Sequence, residues 1–300
     1  MIEYDPRGWT SHLFDVKRSM AREIFSRVLT CTVFAAVVVV VHKNARAIAI
    51  PLSVHTLIGL VLGLLLVFRT NASYDRYWDG RRHWGGIINE CRNLARKARS
   101  FAHDSPRHVA AIVAWTEAFP HAVMNHLRGA TDLGPSGDRL GAADVEATLR
   151  ARNVPLAVAT RISERIGKAS GDGVYSEYLR VELERSVNNL VDHLGGCERI
   201  RKTPLPFVYV AHLRRALILY CFTLPFALVE SHGWITVGVV MLLSYFLFGI
   251  EEIGVEIENP FGKDLNDLPL EQFCKTVEGD LDDLLTLPPL APLGGFSEPA

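Results

Sequence analysis

The chain lacks the features that most catalytic or metal-binding readings require. Its five cysteines, Cys31, Cys91, Cys197, Cys221 and Cys274, are far apart and form no C-x-x-C pair. An odd, scattered set supports neither a disulfide framework nor a metal site, and leaves small apolar filling as their role. H-E-x-x-H, a glycine-rich phosphate loop and the G-x-S-x-G elbow are all missing. His103, Asp104 and His108, or His121 and His126, are the nearest approach to a ligand set, and their spacing fails to bring two imidazoles and a carboxylate onto one helical face. An excess of either charge is missing too. Thirty-two Lys and Arg oppose 33 Asp and Glu, for a formal net charge of −1, so no basic field points to nucleic acid. No repeat of fixed period and no convincing strand is found. The N-terminus does not read as a cleaved signal: Asp5, Asp15 and Glu23 precede the first apolar run, and no clean small-residue site ends it.

What the chain does have is four long apolar runs with the charges gathered between them. The runs are Ile24 to Val41, Ala47 to Phe68, Leu205 to Val229 and Gly233 to Ile250. A helix rises about 1.5 Å per residue, so each run is about long enough to cross a hydrocarbon core. The second run organises the rest. After Phe68 it changes abruptly into Arg69-Thr70-Asn71-Ala72-Ser73-Tyr74-Asp75-Arg76-Tyr77-Trp78-Asp79, with no breaker before Gly80. This predicts one long helix that leaves the membrane and continues into water. The third run is split by Arg214-Arg215 and by Pro225.

Four parts follow. Residues 1–85 hold an amphipathic membrane-surface segment (1–23) and a transmembrane hairpin turning at 42–46. Residues 86–202 form a helical polar domain, with helices over Ile87 to Phe101, Val109 to Leu127, Asp144 to Arg150, Val154 to Lys168 and Tyr175 to Leu194 and a Gly/Pro/Asp loop over Gly129 to Gly141. Residues 203–258 hold the last two spans, and residues 259–300 end in a Pro/Gly-rich, disordered tail. Lys and Arg counts place both termini and the polar domain in the cytoplasm.

Several stretches together resemble the bestrophin family, in its bacterial branch. They are Phe68-Arg69-Thr70-Asn71-Ala72-Ser73-Tyr74-Asp75-Arg76-Tyr77-Trp78 with Trp84-Gly85, Gly195-Gly196-Cys197-Glu198-Arg199 before Thr203-Pro204-Leu205-Pro206-Phe207, Leu224-Pro225-Phe226, and Glu256-Ile257-Glu258-Asn259-Pro260-Phe261-Gly262. The resemblance covers roughly residues 1 to 285. It implies an all-α membrane protein, four transmembrane helices plus a helical cytosolic domain, assembled as a homopentamer around one ion pore in a bacterial inner membrane.

The resemblance also assigns residues. A hydrophobic neck falls on Leu60, Leu64 and Phe68, whose spacing of four keeps them on nearly one helical face. Rings of such residues gate by dewetting. Gly59 and Gly63 offset that face, either for close helix approach or for widening of the neck. A second, cytosolic aperture falls on Tyr178. Asp264 and Asp267 fall at the acid positions where relatives bind calcium, although Lys263 opposes a cation there; a helix-ending role is the alternative. Arg69 and Arg76 would favour anions if they face the pore, with intersubunit salt bridges to Asp75 or Asp79 as the alternative. Glu251, Glu252, Glu256 and Glu258 would form cation-favouring rings, or else an interfacial helix of salt-bridged carboxylates. The expected function is passage of monovalent ions, with anions such as chloride slightly favoured on family breadth and a cation-selective channel as the alternative. A membrane-anchored enzyme and a non-conducting scaffold are the more distant readings. Membrane lipid, the permeating ions and further copies of the chain are the expected partners.

Overall fold

The computed structural model describes residues 20–44, 49–102 and 104–288. Among these residues every regular element is helical. In chain order they are α1 (Ala21–Asn44), α2 (Leu52–Phe101), α3 (Pro106–Arg128), a 3-10 turn (Pro135–Arg139), α4 (Ala142–Leu149), α5 (Val154–Gly171), α6 (Glu177–Lys202), α7 (Phe207–His232), α8 (Ile235–Glu256) and α9 (Leu270–Thr286). The amphipathic reading of the N-terminus, the centre of the 42–46 turn, His103 and the disordered tail lie largely outside the described residues.

Four helices are long and apolar enough to cross a membrane: α1, α2, α7 and α8. The 50-residue α2 joins the expected long helix and the helix expected over Ile87 to Phe101 into one. It runs unbroken through Gly80, Gly85 and Gly86, because packing along its sides outweighs the roughly 1 kcal/mol that each interior glycine costs. The third run is also one helix, uninterrupted by Arg214, Arg215 or Pro225. Pro225 is buried there and leaves the helix continuous, at the expense of one N–H donor.

The chain divides into two compact units, Met1–Asp79 with Thr203–Asp267 and Gly80–Lys202 with Leu268–Ala300. The core of the first unit is a seam of Ile24, Cys31 and Ala35 from α1, Leu62 and Leu66 from α2, Leu213, Leu217, Cys221 and Leu224 from α7, and Val240 and Phe248 from α8. On α7 these residues recur at intervals of three and four, the spacing of one helical face. The opposite faces stay apolar and exposed, as at Phe25, Leu29, Val33 and Val37 of α1. A helix apolar all round belongs in lipid or against a partner, not in water.

The second unit buries Trp84, Ile87, Cys91, Leu94 and Ala98 of α2 at helical spacing. Tyr175 closes this core by donating its hydroxyl to the Ala98 carbonyl at 2.9 Å. Asn153 caps α5 by accepting the Leu156 N–H at 3.1 Å, and Gly129 ends α3 at φ 78°. All five cysteines are free and buried.

Candidate pore surface and the charges beside it

On α2 two rows run side by side. Leu62, Leu66, Arg69 and Ser73, spaced by four, three and four, are buried. Leu60, Leu64 and Phe68 lie on the other side and keep 74%, 55% and 56% of their surface exposed. Within the protomer, then, the three expected neck residues form one continuous open apolar row. Leu57 extends it at one end and Tyr74 and Trp78 at the other, and Val61 is exposed beside it.

The two glycines beside this row have different roles. A Cβ on Gly59 would lie 2.9 Å from the Tyr220 hydroxyl, so that glycine admits the ring from α7. A Cβ on Gly63 would meet nothing within 4 Å. Tyr209 also fastens α7 to α2, donating its hydroxyl to the Leu65 carbonyl at 3.0 Å. His55 does the same nearer the start of α2, with its Nε2 2.9 Å from the Thr223 hydroxyl.

The charged candidates are placed differently from the expectation that they line an open surface. Arg69 is fully buried; it donates to Ser73 Oγ and to Glu258 Oε2, each at 2.7 Å. Arg76 donates through Nε to the Glu258 carbonyl at 3.2 Å and through Nη1 to the Thr203 carbonyl. Glu258 completes the junction by accepting the Leu205 N–H at 3.0 Å. It thus ties both arginines of α2 to the segment that enters α7. The sequence hides this role, because Glu258 reads as one acid among four.

Glu251 and Glu252 are also buried. Arg214 Nε donates to Glu251 at 2.8 Å, and Arg27 Nη1 donates to Glu252 at 2.7 Å. Buried carboxylates demand partners, because an unpaired charge out of water costs several kcal/mol. In the protomer, then, Arg69 is buried and pairs with Glu258 of its own chain, and Glu251 and Glu252 are buried and pair with Arg214 and Arg27.

In the loop after Phe261, Asp267 is buried and its Oδ2 accepts the Asp264 N–H at 2.7 Å, while the Asp264 side chain is exposed. A Cβ on Gly262 would lie 2.5 Å from that same Oδ2, so glycine lets the loop wrap its own carboxylate. Among the described residues no group of three or more His, Cys, Asp or Glu could hold a metal. Two carboxylates, one already bonded to backbone, fall short of the six to eight oxygens that calcium takes. Calcium bound here would take most of its oxygens from backbone carbonyls and water.

Tyr178 is 83% exposed at the start of α6. The histidines weighed as enzyme ligands pair separately with acids: His108 with Asp172 at 3.0 Å, His121 with Glu278 at 2.9 Å and His126 with Glu198 at 2.8 Å. One pairing was missed from sequence. His83 and His193 meet at 3.3 Å between α2 and α6. A Cβ on Gly86 would lie 2.1 Å from the His193 ring, and one on Gly196 would lie 2.2 Å from the His83 ring. The doubled glycines at 85–86 and 195–196 were the available signal.

Comparison with known proteins agrees with this geometry. Residues 1–283 match the family described as Bacterial/Fungal Bestrophin protein. A voltage-dependent anion channel-forming protein of Nostoc sp. is 40% identical over 287 residues, covering 94% of each chain. One from Synechocystis sp. is 41% identical, covering 95% of this chain and 94% of the other. A crystal structure of a bacterial bestrophin homologue from Klebsiella pneumoniae superposes with a TM-score of 0.83 at 28% identity, over 89% of this chain and 100% of that one.

Proposed function

We propose that this chain, which belongs to the bacterial/fungal bestrophin family, is the protomer of a homopentameric anion channel with its neck at Leu60, Leu64 and Phe68. Family membership makes it a membrane protein of a channel family rather than an enzyme, since relatives spanning 94% of it are named as channel-forming proteins. The observation that carries the proposal is the open apolar row on α2. Five copies around an axis would stack three apolar rings, and a narrow apolar ring sheds water and raises the barrier to a hydrated ion. Arg69 and Arg76 act behind the neck, through Glu258, by holding α2 against the segment entering α7. Tyr178 supplies a second narrow ring in the cytosolic unit. The membrane is the bacterial inner membrane, with both termini in the cytoplasm, following the excess of arginine in 69–202.

Anion selectivity is supported by the names of the relatives and by the pairing that removes Glu251 and Glu252 from an open surface. The decisive experiment is a reversal potential in a planar bilayer under a KCl gradient. A shift toward the chloride equilibrium potential is expected; a shift toward potassium would overturn the anion reading, and silence in every condition the channel reading. Our reading of the Asp264–Asp267 loop is that it closes on its own backbone and needs no calcium. Equal currents with and without chelator are expected in the same bilayers, and a current that disappears on chelation would refute this.

A further inference from the structure

Away from the neck, the first unit contains a slot of about 390 Å³ between α1, α7 and α8. That volume lies within the range of small-molecule sites. Most of its lining is apolar, including Leu217, Ile218, Phe222 and Phe248, and its charged members are Arg27, Arg214 and Glu251. Glu251 is 2% exposed, whereas the two arginine side chains keep 44% and 51% of their surface. Two buried acids therefore hold these half-exposed cations: Arg214 Nε lies 2.8 Å from Glu251 Oε1, and Arg27 Nη1 lies 2.7 Å from Glu252 Oε2 and 3.6 Å from Glu251 Oε2.

The arginines are not used up by this arrangement. A guanidinium carries five N–H donors. Among the described residues Arg214 donates only through Nε and Arg27 only through Nη1. The remaining donors border the slot, whose lining holds both cations and Glu251, while Glu252, the other partner of Arg27, is not part of the lining. Depth also matters. Arg27 is near the start of α1, Arg214 in the second turn of α7 and Glu251 near the end of α8. All three lie toward the same end of their spans, where headgroups begin, and not at mid-bilayer.

We infer that this slot binds an anionic phospholipid, with the phosphate held by Arg27 and Arg214 and an acyl chain along Leu217, Ile218, Phe222 and Phe248. The spare guanidinium N–H donors match phosphate oxygens, and they sit at the end of the spans where lipid phosphates lie. Glu251 is then a positioning residue that spaces the two cations. The inference concerns a surface separate from the neck and holds whichever ion the channel passes.

The test is native mass spectrometry of the whole protein, reconstituted with phosphatidylglycerol or phosphatidylcholine and released through graded delipidation. Phosphatidylglycerol is expected to stay bound where phosphatidylcholine washes away. Arg27→Gln should lower its retention about fivefold, the effect of one cation at a membrane surface. Ile218→Trp fills the slot and leaves every charge in place, so it tests the site even if Arg27→Gln folds poorly. Loss of phosphatidylglycerol from Ile218→Trp, with the oligomer mass unchanged, supports the site. Equal retention of both lipids, or retention undiminished in Ile218→Trp, overturns it. A changed oligomer mass in Ile218→Trp with lipid still bound would assign the slot to a second copy of the chain, and would also overturn it. Bound lipid is read without current, so this outcome is independent of the conduction experiment.

Discussion

Glu117 of α3 is 2% exposed and has one weakly committed partner. Arg139 Nη1 donates to its Oε2 at 3.1 Å, but the same guanidinium binds Asp282 at 2.6 and 3.0 Å. Glu117 Oε1 has no hydrogen-bond partner among the described residues. Burial, and then the nearby Asp282 charge, push this carboxyl up from 4.5 to about 7. The sign of the linkage follows. Between these two pH values the folded chain holds a proton that the unfolded chain has released, so stability falls as pH rises through that window. The shift is worth on the order of 3 kcal/mol at most. Glu117→Gln should therefore flatten the pH dependence of the unfolding midpoint and raise the midpoint above pH 7. A mutant curve parallel to the wild type between pH 5 and pH 8 would contradict this account.

At the scale of elements, α2 and α6 meet through a reciprocal exchange in which each helix gives up a side chain at one glycine to seat the other's histidine. The 2.1 Å gap left for a Cβ at Gly86 is far below any tolerable contact. Gly86→Ala should destabilise the protein by about 1–3 kcal/mol, the usual cost of overpacking. Most of the clash should vanish when His193→Ala is added, so the two changes should couple strongly in a double-mutant cycle. Additive losses in chemical denaturation would show that the rings are not what fills the space. The same reasoning explains why α2 runs on as one helix where Gly80, Gly85 and Gly86 suggest interruption. Helix propensity is a per-residue preference of about 1 kcal/mol, and tertiary contact overrides it.

For the whole molecule, the informative surface is the one the protomer leaves uncovered. Leu60, Leu64 and Phe68 expose more than half of their area, on the side of α2 away from Leu62, Leu66 and Arg69. In the proposed five-fold assembly this row would face the axis, and shortening Leu64 would widen the middle ring. Leu64→Ala is expected to raise single-channel conductance, because a wider and less apolar ring stays hydrated. Unchanged single-channel current would mean that this face of α2 packs against lipid or another helix instead. Gly63 beside the row has open space, so Gly63→Ala is a control that alters the helix without a clash inside the unit.

The sequence by itself determined the four spans, the all-helical character and the membership of Leu60, Leu64 and Phe68 in one face. Those are properties of run length and of the 3.6-residue period, which are local. It also carried the family, through motifs such as Phe68 to Trp78. What only the tertiary structure decided was the fate of the charges. Arg69 meets Glu258 across 189 positions, and Arg27 meets Glu252 across 225. A charge in a sequence shows its sign but not its partner, and burial is what makes the partner obligatory. That is why Arg69, Glu251 and Glu252 read equally well as pore groups or as ion pairs until the helices were packed.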